Sequence, residues 1–219
     1  LCSPWASVPT QNILAHEAAP TMASPAAHAA VAIPFDQIGA VAEKQYSGGG
    51  LAVAPAADGA RVRCDFQKLI GAVTGEGLWL ASAAEGAKGQ PFRVVARRMG
   101  REVAEPLPLN GAVEVAGQVA RFIRPGLTEE YSVGVGGVRQ DFVIEQRPDG
   151  AGTARLELEV DGAKAETTDG GVRLVLTDGG RKLVYNRLKA EDARGREVQA
   201  RMEVVSAGQV VVLVNDADA

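Results

Sequence analysis

Four Asp-Gly pairs punctuate the second half of the chain, at Asp149-Gly150, Asp161-Gly162, Asp169-Gly170 and Asp178-Gly179, and a run of alternating or continuous apolar residues follows each. Asp-Gly supplies the positive φ angles of tight hairpin turns, so this spacing predicts an antiparallel β meander. Between the turns the side chains alternate. Leu156, Leu158 and Val160 are interleaved with Arg155, Glu157 and Glu159; Val172, Leu174 and Leu176 repeat the pattern, as do Val198, Ala200, Met202 and Val204 opposite Gln199, Arg201 and Glu203. A strand of period two has one dry face and one wet face. Several such strands need a second layer over the dry side, which predicts an all-β antiparallel β-sandwich. The run Val210 to Val214 is apolar on both sides and suits a central strand.

Further strands are expected at 60–69, 77–83, 91–98 and 112–123, with a hairpin joining 131–135 to 138–144. The stretch from Glu105 to Gly111 is an internal break, because Pro106 and Pro108 cannot donate to a central ladder. Residues 35–219 therefore read either as one sandwich or as two consecutive β lobes, 35–105 and 106–219. Ahead of them, Leu1 to Ser7 reads as the remnant of a secretory signal and residues 8–32 as a flexible Ala- and Pro-rich leader, so that 1–34 stands apart. Ile33, Phe35, Ile38 and Val41 have spacing that permits a short helix. No run of about 18 apolar residues marks a spanning helix.

Chemistry is sparse. With 23 Lys and Arg against 27 Asp and Glu, the net charge of −4 argues against a nucleic-acid surface. The nearest basic cluster, Arg93, Arg97, Arg98 and Arg101, is followed by Glu102 and Glu105 and reads as a solvated strand end. Both histidines, His16 and His28, fall in the leader, so a triad or histidine-based zinc site has no folded element to carry it. Cys64 alternates with Val62 and Phe66 and reads as a small buried side chain. Cys2 is placed for lipidation or for loss with a signal peptide. The carboxylate pairs Glu129-Glu130 and Glu191-Asp192 point to opposite faces of a strand and do not make a glycosidase pair; Asp192-Ala193-Arg194-Gly195 fits a type I turn. Asn215, Asp216 and Asp218 offer oxygen ligands without calcium-loop spacing. Gly48-Gly49-Gly50 and Gly134 to Gly137 fail the phosphate-binding fingerprints. Trp79, Tyr131 and Tyr185 are candidate sugar-stacking rings, each in an apolar strand context where core packing is the default. The sequence assigns no catalytic, cofactor-binding or metal-binding residue.

Three stretches taken together, Gly77 to Leu80, Ala120 to Tyr131 continuing through Val138 to Phe142, and Leu183 to Leu188 with Glu191 to Glu197, resemble the N-terminal β-rich domain of large secreted bacterial proteins that carry downstream propeller-type or other tandem repeats. The resemblance implies an extracellular, multidomain setting and no established activity. The expected function is a non-catalytic structural or interaction module that caps or presents a repeat region, with the downstream domains of its own chain as partners. The alternatives are a carbohydrate-binding β-sandwich that meets a glycan or cell-surface component, and an accessory subdomain of a secreted hydrolase using Glu130 or Asp192.

Overall fold

The computed structural model describes residues 48–217. Cys2, His16, His28, the leader and the expected short helix lie outside the described residues. The described residues form seventeen strands and no helix. In chain order these are β1 (Leu51–Ala56), β2 (Gly59–Cys64), β3 (Leu69–Thr74), β4 (Gly77–Ser82), β5 (Pro91–Gly100), β6 (Ala104–Pro106), β7 (Ala112–Ala116), β8 (Val119–Arg124) and β9 (Leu127–Gly134). They continue with β10 (Gly137–Val143), β11 (Ala154–Asp161), β12 (Ala163–Thr168), β13 (Gly171–Leu176), β14 (Lys182–Asn186), β15 (Ala190–Glu191), β16 (Glu197–Ser206) and β17 (Gln209–Asn215). A long sheet runs β1-β2-β3-β4-β5-β11-β17-β16-β15, with β6 also beside β5. A four-stranded sheet runs β10-β9-β8-β7 and a three-stranded sheet β12-β13-β14.

The turn chemistry explains the hairpins. Arg124 pairs with Leu127 across Pro125-Gly126, where Gly126 has φ +82, as a type II turn requires. Asp169-Gly170 is likewise the two-residue corner between Thr168 and Gly171, and Asp178-Gly179 lies in the β13–β14 connection. The other two Asp-Gly pairs are not hairpin corners. Asp161-Gly162 carries the chain from β11 in the long sheet to β12 in the three-stranded sheet, and Asp149-Gly150 lies in the loop before β11. Positive φ serves any sharp reversal, so the dipeptide marks the bend without fixing which strands pair. Two expected strands are also divided. The 60–69 run is cut by a turn at Asp65–Lys68, with Lys68 at φ 46, and the 112–123 run by Gly117-Gln118.

The alternating patterns place the core. The four-stranded sheet lies over β1–β3 and buries Val53, Val62, Val73, Leu78, Phe122 and Tyr131 between the layers. The three-stranded sheet lies against β16, and its Val172, Leu174 and Leu176 join Leu156, Leu158 and Val160. β17 sits between β11 and β16, where Val210, Val211 and Val212 are all buried, matching its two-sided apolar run.

β5 joins the halves. β4 reaches it only at Pro91 and Phe92, and β6 only from Arg98 to Gly100, while β11 follows its other edge from Arg93 to Gly100. A bulge leaves Arg97 without a cross-strand partner in β11, since Ala96 faces Leu158 and Arg98 faces Glu157. The ladder thus runs through the expected 105/106 division, with β5 on one side hydrogen-bonded to β11 on the other.

Candidate functional site

Between β4 and β6, the free edge of β5 exposes main-chain groups that no strand covers. Side chains from the four-stranded sheet take them. Gln140 donates to the Val94 carbonyl (3.1 Å), Glu129 accepts from the Ala96 N–H (3.2 Å), and Arg124 donates to the Ala96 carbonyl (2.8 Å). Alternation along β9 sends Leu127, Glu129 and Tyr131 inward together, which is how a carboxylate comes to lie in the core. Arg124 and Glu129 form an ion pair with no side-chain exposure at either partner. The second carboxylate oxygen accepts from the Tyr131 hydroxyl (2.9 Å) and from Gln140 (2.6 Å), and Tyr185 donates in turn to Gln140 (3.2 Å). Burial pushes the Glu129 carboxyl above its ordinary range, against the pull of Arg124 and the hydrogen bonds. Burial, with Glu129 beside it, likewise holds the Tyr131 phenol well above its usual value. Arg124 stacks on the Phe122 ring at 4.5 Å, and its Nε has no hydrogen-bond partner among the described residues. Ionisable groups do converge here, in a sealed interior without a cleft. Four donors already occupy both Glu129 oxygens, so the cluster substitutes for a missing strand and leaves no lone pair turned toward a substrate.

The other candidates separate. Glu130 pairs with Arg121 (2.6 Å) on the outer face, Glu191 with Lys189 (2.5 Å), and Asp192 accepts from the backbone N–H groups of Arg194 (2.8 Å) and Arg196 (2.9 Å). Those backbone bonds lower the Asp192 carboxyl below its ordinary value. Cys64 is fully buried, donating to the Gly134 carbonyl at 3.4 Å, and burial raises its thiol. No group of three or more metal-ligating side chains forms among the described residues, and no described helix is long and apolar enough to cross a membrane.

The arginine cluster is not a solvated strand end. Arg93 binds Asp161 (2.8 Å) and Glu159 (3.3 Å), Arg97 binds Glu159 (2.7 Å), and Arg101 has only 2% side-chain exposure. Arg101 grips both oxygens of Asp216 (2.9 and 2.6 Å) and donates to the Pro148 carbonyl (2.8 Å); Arg147 adds a second cation at 3.0 Å. The Arg101 hydrogen bonds hold the Asp216 carboxyl below its ordinary value. Asp216 is therefore a cation-neutralised anchor with both oxygens engaged, and Asp218 lies outside the described residues.

Of the three candidate rings, Tyr131 is buried and Tyr185 half-buried against the core. Trp79 departs from the core-packing expectation. Leu78 is buried while Trp79 points to the opposite, outer face of β4, partly exposed, with the Arg93 guanidinium 4.1 Å from its ring centroid. It borders a concavity of about 430 Å³ on the outer face of β2–β5. No known protein family, curated protein or solved structure matches the chain.

Proposed function

We propose that the protein is a non-catalytic β-sandwich module of a long exported bacterial protein, serving to cap or present a repeat region that follows it. The observation that carries this reading is the Arg101–Asp216–Arg147 clamp, which ties the end of the central strand β17 to β5 and to the loop around Pro148. An ion-paired anchor at Asp216 fixes the end of β17, which a module that orients its neighbour needs. A repeat array also needs its exposed end covered, and an independently folded sandwich with a wet outer face supplies that. The test expresses the segment that follows in the intact protein with and without residues 35–219. Loss of solubility or of cooperative melting without them is expected; unchanged behaviour refutes the capping role.

A second reading, a carbohydrate-binding β-sandwich, is favoured by the outward Trp79 beside a shallow concavity. Its weakness is that Tyr131 and Tyr185 turn inward, so Trp79 alone would have to supply stacking.

A further inference from the structure

We infer that the concave outer face of β2–β5 is a binding site for an acidic glycan, a polysaccharide whose sugar rings carry carboxylates. The inference rests on the carbohydrate-binding reading and not on the capping one. Cross-strand register sets the site. Arg61 on β2 faces Ala72 on β3, which faces Trp79 on β4; in the next row Ile70 faces Ala81, which faces Pro91 on β5. The concavity thus has a ring and a proline on one side, Ala72, Ala81 and the exposed Ile70 on its floor, and the guanidinium of Arg61 on the other side. Two strand spacings, about 9 to 10 Å, separate the aromatic and cationic walls.

The aromatic wall is held in place. The guanidinium of Arg93 stacks on Trp79 at 4.1 Å and is itself fixed by Asp161 at 2.8 Å and Glu159 at 3.3 Å. A ring supported in this way loses little freedom when a ligand stacks on it. Close approach of the strands shapes the floor: a Cβ on Gly71 would stand 2.1 Å from the Trp79 carbonyl oxygen, so only glycine lets β3 and β4 meet there. The cationic wall already displays its preference. Arg61, with 67% of its side chain exposed, reaches the Asp58 carboxylate at 3.9 Å, a loose surface pair that a ligand carboxylate can replace.

The same features argue against other occupants. The backbone groups of β2 and β3, in the middle of the site, are consumed by their neighbours in the sheet, so a peptide lying there finds no ladder to extend. A flat ring and a guanidinium suit a ligand that offers a sugar C–H face and a carboxylate together.

The test is titration calorimetry of the full chain with oligogalacturonate, its fully methyl-esterified form, and poly-L-glutamate, repeated with Arg61→Gln, Trp79→Leu and Trp79→Phe. Circular dichroism checks that each variant is folded. Saturable binding of oligogalacturonate is expected, weakening with added salt. Arg61→Gln and Trp79→Leu should each weaken it by about tenfold or more. Trp79→Phe should retain part of it. Equal binding of the neutral ester overturns the acidic specificity and leaves the carbohydrate reading standing. Equal binding of poly-L-glutamate, or binding untouched by Arg61→Gln in the folded variant, overturns the inference. Absence of binding to either glycan overturns both.

Discussion

Arg124 and Glu129 form a diagonal ion pair across the β8–β9 hairpin, five residues apart in sequence and both shut off from solvent. Together with Gln140 they close the stretch of β5 that neither β4 nor β6 covers. The arrangement makes the buried charges part of the sheet's hydrogen-bond ladder.

Glu129→Ala leaves Arg124 as a buried unpaired cation and strands the Ala96 N–H and the Tyr131 hydroxyl. The expected loss is about 3–5 kcal/mol of unfolding free energy. Tyr131→Phe, which removes one donor and keeps the ring, should lose about 1–3 kcal/mol. Urea denaturation of the purified variants measures both, and a wild-type midpoint for Glu129→Ala refutes the supporting role.

Asp216 gives the acid limb a definite sign. Its carboxyl is lowered in the folded state by Arg101, so its contribution is present above the unfolded value of about 3.9 and is lost as pH falls from there through the lower folded value. Asp216→Asn should be less stable than wild type at neutral pH, with the difference shrinking below about pH 4. Unfolding free energies from pH 7 to pH 2 read this out; a gap that stays constant with pH contradicts it.

Two glycines with similar φ should respond differently to alanine. At Gly162, φ +68, a Cβ would sit 2.2 Å from the Pro91 carbonyl oxygen, whereas at Gly195, φ +75, nothing lies within 4 Å. Gly195→Ala carries only backbone strain, about 1 kcal/mol, and Gly162→Ala adds a main-chain collision, for a total of more than about 2 kcal/mol. Thermal melts of the pair decide it, equal losses being the adverse result.

Cys64 should react with a thiol reagent only when the sheet opens. In a Cys2→Ser background, its labelling rate should rise in step with added denaturant, because the thiol is buried and its ionisation suppressed. Fast labelling in native buffer would contradict the burial.

Period-two alternation makes the inner faces of β11 and β16 legible, because Leu156 and Met202 each sit between polar neighbours whose only outlet is solvent; on β13 Arg173 gives the same signal between Val172 and Leu174. The same rule, applied to Leu127, Glu129 and Tyr131, points a carboxylate inward. The adjacent Glu130 masks this in a local window, since Glu129's partner Gln140 is eleven residues away and the Ala96 N–H thirty-three. Trp79 escapes the local pattern for a related reason. Between Leu78 and Leu80 it looks like one of three core residues, yet Arg93, which shelters its ring, comes from the neighbouring strand. The turn at Lys68 carried no glycine to announce its positive φ. Register and long-range partners decide these cases, and neither is written in a local window.

The seam along Arg93 to Arg97 is closed by Gln140, Glu129 and Arg124 instead of by a strand. Main-chain amides are common to every residue type, so a ladder of them survives most point changes, whereas a closure made of three side chains is open to revision one codon at a time. Descendants of this protein can therefore alter how the four-stranded sheet is secured to β5 while keeping every strand intact.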